Sequence, residues 1–81
     1  MKEDSKQETY CVVLFYSISL ALRAEKLCEG KNVSTKLIPV PRHLSSDCGI
    51  CLRLKDQDEP KVRGILNEGK VEFEGIYHMG G

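Results

Sequence analysis

The sequence predicts an α+β domain with a four-stranded antiparallel sheet and two helices on one face. Three observations carry that prediction. The chain has 81 residues, room for one small domain. Apolar residues recur at helical spacing in two segments and as strand-like runs in four others. The six segments follow in the order strand, helix, strand, strand, helix, strand, the βαββαβ order of the ferredoxin-like split-βαβ motif.

Residues 1–9 are polar and charged and read as a flexible tail. Tyr10–Tyr16 is β-branched and aromatic with apolar residues at every step, which suits a central strand buried on both faces. Ser17 and Ser19 offer N-cap oxygens. Leu20, Ala21, Ala24, Leu27 and Cys28 then recur at helical spacing, and Gly30 falls where a glycine ends a helix. Val33–Val40 reads as a second strand. Pro39 and Pro41 lack backbone donors, so it is either an edge strand or a strand that frays at its end. Residues 41–48 form a polar loop, and Gly49–Leu54 alternates as a third strand. Pro60 fits the first position of a second helix with Val62, Ile65 and Leu66 as its buried stripe and Gly69 as its stop. Gly64 weakens that helix. Val71–Tyr77 reads as the last strand, with Gly75 as a bulge candidate. The domain therefore covers 10–78, with 79–81 as a C-terminal tail that follows His78.

Composition excludes several classes. Twelve basic residues balance twelve acidic ones, whereas a dedicated nucleic-acid binder needs a basic excess. The chain is 41% apolar and 30% charged, which is globular. Its longest apolar stretch, Cys11–Leu22, is shorter than the about 20 residues of a membrane span. The mixed charges of the first ten residues do not resemble the n-region of a signal peptide. The reading is a cytoplasmic protein whose four cysteines are thiols, ligands or reactive groups instead of a disulfide framework.

The predicted topology brings the end of the first strand, the start of the first helix and the 41–48 loop to one end of the sheet. Cys48-Gly49-Ile50-Cys51 has the C-x-x-C spacing of thiol oxidoreductases and of half a zinc site. In a strand, however, residues three apart point to opposite faces, and no second C-x-x-C completes four ligands. The remaining chemical reading is a single reactive thiol, Cys48. The N-terminus of the first helix, with Ser17 and Ser19, together with Arg42, His43, Ser45 and Ser46, would favour its anion, while Asp47 opposes. The plainer reading makes Cys48 a small apolar residue closing a loop. Cys28 and Cys11 read as packing residues. Cys51 lies opposite the Ile50, Leu52 and Leu54 face, either exposed or hidden in a dimer.

Three segments, Ala21–Leu27 (ALRAEKL), Lys36–Gly49 (KLIPVPRHLSSDCG) and Gly75–Tyr77 (GIY), resemble a small bacterial family described as selenium/sulfur carrier-like. The resemblance spans residues 10–78, and its most specific part is P-V-P-R followed by S-S-x-C-G, ending in Gly49. It implies a covalent carrier more than a true catalyst, in which Cys48 holds sulfur or selenium as a persulfide or selenosulfide. A donor such as a cysteine desulfurase would load it and an acceptor enzyme would unload it, with no cofactor beyond the carried atom. Where the family usually has a small residue, this chain has Cys51, either a neutral replacement or a resolving thiol. Two other readings stand beside the carrier. One is a non-catalytic adaptor or regulatory domain with an inert Cys48. The other is a metal module using Cys48, Cys51 and His43. An uncovered sheet face would suit a homodimer.

Overall fold

Both flanks of the apolar run at Tyr10–Leu14 are taken by other strands, because every residue of that run has a side to bury. In the computed structural model, which describes residues 9–44 and 48–79, this run is β1. It is followed by helix α1 (Ile18–Gly30), β2 (Thr35–Pro39) and β3 (Ile50–Lys55). A single 3₁₀ turn (Asp56–Asp58) then leads into α2 (Glu59–Glu68) and β4 (Gly75–Met79). The strand order is β2-β3-β1-β4, and all three pairings are antiparallel. β2, with its proline, lies at an edge, the first of the two alternatives that its prolines left open. Among the described residues, no helix is long and apolar enough to cross a membrane.

Alternation along β1 sorts the core into two layers. Cys11 and Val13, continued by Phe15, face the helices with Leu52 and Leu54 of β3. Ala21, Ala24 and Cys28 of α1 and Val62, Ile65 and Leu66 of α2 close that layer, so both helices lie on one face. Val12 and Leu14 point the other way and meet Cys51. That second face is not bare. Tyr10, Ile38, Val40, Leu44 and Met79 pack over it, and Val12, Leu14 and Cys51 are each at most 1% exposed. The Arg53 guanidinium stacks 4.2 Å from the Tyr10 ring centre beside them. The sheet face expected to be open is thus covered over its middle within one chain, and Cys51 is buried there without a dimer partner.

The helix boundaries correct the sequence reading. Ser17 caps α1, its hydroxyl oxygen accepting from the Leu20 amide at 3.3 Å. At the other end Gly30 is still helical. The left-handed residue is Asn32, with φ of 63°. The Val33 amide donates to the Cys28 carbonyl and the Asn32 amide to that of Glu29, which is the Schellman pattern. α2 ends identically: Lys70 takes φ of 58°, and the Val71 and Lys70 amides donate to the Leu66 and Asn67 carbonyls. In both motifs a buried valine follows the left-handed residue. Val71 is thereby committed to the helix exit, which delays β4 from Val71 to Gly75. β4 then runs past Tyr77 and takes in His78 and Met79. Gly75 pairs in regular register with Leu14. Glu59, not Pro60, opens α2.

Two glycine exchanges should each stabilise the fold. A Cβ added at helical Gly64 meets nothing within 4 Å, so Gly64→Ala should add about 0.5–1 kcal/mol. Lys70→Gly relieves a left-handed lysine and should add a similar about 0.5–1 kcal/mol. Urea denaturation with an unchanged m-value checks both. By contrast, Leu66→Ala, which empties a fully buried site, should cost about 2–5 kcal/mol.

Candidate functional site

The β2–β3 connection carries Cys48. Its ends are tied by the Val40 amide, which donates to the Gly49 carbonyl at 3.1 Å and extends the ladder by one step. The Leu44 amide closes a turn onto the Pro41 carbonyl at 3.0 Å, and the Leu44 side chain anchors that turn on the second sheet face. Arg42 and His43 project from this turn and are exposed. Ser45, Ser46 and Asp47 lie outside the described residues. The strand register puts the end of β1 (Leu14), the start of β3 (Ile50, Cys51), the end of β2 (Pro39) and the start of β4 (Gly75) at one end of the sheet. Ser17 and Ser19 open α1 just beyond β1, at that same end. Ser17's hydroxyl is engaged as the cap; Ser19 is exposed in the first turn.

All four cysteines are thiols, and their settings differ. Cys11, Cys28 and Cys51 are fully buried within regular elements. Burial pushes the Cys28 thiol above its usual range. Burial first, and the neighbouring Cys48 second, push Cys51 up to about 11. Its thiol points toward the Pro39 carbonyl at 3.9 Å. Cys51 is therefore a protonated packing residue at neutral pH, poorly suited to attack anything as a thiolate. Cys48 is 3% exposed but belongs to the irregular connection, outside any helix or strand. Gly49 beside it is exposed, and a Cβ there would meet nothing within 4 Å.

The metal reading built on Cys48, Cys51 and His43 does not find its geometry. Among the described residues, the group whose ligand atoms converge is Cys11, Asp56 and His78, all within 4.8 Å of one another. Sequence reasoning missed this group. Cys11 pairs with His78 across β1 and β4, and Asp56 follows directly after β3. The Cys11 Sγ lies 3.3 Å from both Asp56 Oδ1 and His78 Nδ1, and the last two are 2.5 Å apart. Burial, then the hydrogen bond and charge of Asp56, push the Cys11 thiol up to about 12. Hydrogen bonds from Cys11 and then His78 hold the Asp56 carboxyl below its usual value, with Thr9 also donating. The signal for this group was present in the register: extending the last strand by two residues puts His78 on the same face as Cys11.

The fold and site define a small α+β domain with three cysteines locked into its secondary structure and a fourth on a connecting loop. The chain belongs to the family described as "Putative Se/S carrier protein-like", whose profile matches residues 10–78. No curated protein matches the chain.

The acid limb of stability tests the Asp56 contacts. A depressed carboxyl binds its proton later in the folded chain than in the unfolded one. Its contribution is complete above 3.8, the ordinary value, and is lost as pH falls through the lower folded value. Asp56→Asn should flatten that part of the profile, measured by urea denaturation across a pH series, and leave stability near pH 7 less changed by further acid.

Proposed function

We propose that this chain is a ferredoxin-like carrier of sulfur or selenium, loaded covalently on Cys48 in the cytoplasm and unloaded onto an acceptor enzyme. The observation that carries the reading is the sorting of the cysteines. In a carrier-like family, Cys48 is the one thiol placed on a connection instead of inside a packed element. The Cys48 thiolate attacks the terminal sulfur of a donor persulfide, such as that of a cysteine desulfurase. The donor S–S bond breaks, a new one forms on Cys48, and the donor thiolate takes up the proton that Cys48 gave up. No net oxidation occurs, and a terminal selenium follows the same balance.

Arg42, His43 and the opening turn of α1 with Ser17 and Ser19 supply the cationic and donor surroundings that favour an anionic terminal atom; Ser45 and Ser46 belong to the same proposed setting. Cys48 is nearly covered, so its sulfur must be uncovered in the encounter with a partner. An apolar docking surface is available at that end of the sheet. Tyr16, Ile18 and Leu22 are about half exposed, and Ile18 and Leu22 stand one turn apart on α1. Bare Gly49 lets a partner backbone approach the loop. Cys51 is given no resolving role, because its thiol is buried and held neutral.

Intact mass after incubation with a cysteine desulfurase and free cysteine tests the reading. The wild type and Cys51→Ser should each gain one reducible sulfur, and Cys48→Ser none. An equal gain in Cys48→Ser, or no gain in the wild type, overturns sulfur loading at Cys48 and leaves the adaptor account. Gly49→Ala should keep its thermal stability and load more slowly.

A further inference from the structure

We propose that Cys11, Asp56 and His78 form a divalent transition-metal site, suited to zinc, at the end of the sheet opposite Cys48. Three separate elements deliver the ligands: β1 the thiol, the 3₁₀ turn after β3 the carboxylate, β4 the imidazole. Sulfur, nitrogen and oxygen donors in one cluster are the set that zinc and its neighbours in the transition series take.

The geometry is close to what such an ion needs. Around tetrahedral zinc, with Zn–S near 2.3 Å and Zn–N and Zn–O near 2.0–2.2 Å, donor atoms stand roughly 3.4–3.6 Å apart. The two edges that meet at Cys11 Sγ measure 3.3 Å. The third, Asp56 Oδ1 to His78 Nδ1, measures 2.5 Å as a hydrogen bond and must open by roughly 1 Å. The side chains of His78 and Asp56 are 64% and 42% exposed, so both can turn to open it. The same exposure gives the ion an entry path and leaves its fourth position to water. Thr9, donating to the Asp56 carboxylate, supplies the outer hydrogen bond that orients a metal-binding carboxylate.

Binding balances simply. The Cys11 thiol releases its proton to solvent and binds as thiolate. His78 binds through Nδ1 with its proton on Nε2, and Asp56 binds as carboxylate. No electron moves. Cys11 lies three residues from Leu14 along β1, roughly 10 Å, so the ion and the Cys48 chemistry occupy different ends of one sheet. The ion would clip the ends of β1 and β4 to the turn after β3, and it requires neither Cys48 nor a sulfur donor.

Cobalt titration of the metal-stripped, reduced full chain tests this. One Co²⁺ per chain should bind, with tetrahedral visible bands and a thiolate-to-cobalt charge-transfer band, and Zn²⁺ should displace it. The double variant Cys48→Ser/Cys51→Ser should keep the stoichiometry and the band. His78→Asn and Asp56→Asn, both at exposed positions, should each weaken binding by at least about tenfold, the scale on which outer partners alone act. Cys11→Ser should abolish the charge-transfer band. No band in the wild type, full affinity in both surface variants, or loss of the band in the Cys48/Cys51 double variant overturns the site.

Discussion

β1 has hydrogen-bonded neighbours on both sides and packed side chains on both faces, and that double burial fixes the register of everything else. Opposite Leu14 stand Cys51 and Gly75; opposite Tyr10 stand Lys55 and Met79. A one-residue slip of β1 would turn Cys11 and Val13 out of the helical layer, so its register is strongly specified. One end of the sheet then gathers the Cys48 connection and the start of α1. The other gathers Cys11, Asp56 and His78. The two proposed sites are separated by the length of the central strand.

The features legible in the sequence were those set by local pattern. The unbroken apolar run gave β1, the spacing of Ala21, Ala24 and Cys28 gave α1, and Pro39 gave the edge position of β2 as one of two alternatives. Ser17 was readable as a cap because capping is a contact within one turn. What escaped depends on residues distant in sequence. The helix exits fall on Asn32 and Lys70 because a valine three residues past each helix is drawn into the core, a pull stronger than the glycines' preference. That same pull hides the start of β4. The cover over Cys51 comes from Ile38, Val40, Leu44 and Met79, which no local period links. Arg42, His43 and Cys48 share one connection through chain continuity alone. The convergence of Cys11, Asp56 and His78 needed the sheet itself.

Four cysteines in a chain of 81 residues invite a redox or disulfide reading, and the fold answers it by placement. Cys28 faces the helical core. Cys51 is paired into β3 on the opposite side. Cys11 is turned toward a carboxylate and an imidazole. Cys28 and Cys51 sit in regular backbone with their sulfurs inside the packed layers, so exposing either means breaking a helix or a strand, and Cys11 is covered by His78 and Asp56. Cys48 stands outside any helix or strand, so exposing it need not break a regular element. This difference in the cost of exposure, more than any single contact at Cys48, is the structural basis of the carrier reading.

The most direct test is the rate at which each of the four thiols is alkylated in the native, reduced protein, resolved by peptide mass spectrometry. Cys48 should react well before the others, and Cys28 and Cys51 should follow together at the rate of global unfolding. Equal protection of all four, or reaction of Cys51 ahead of Cys48, would contradict the account.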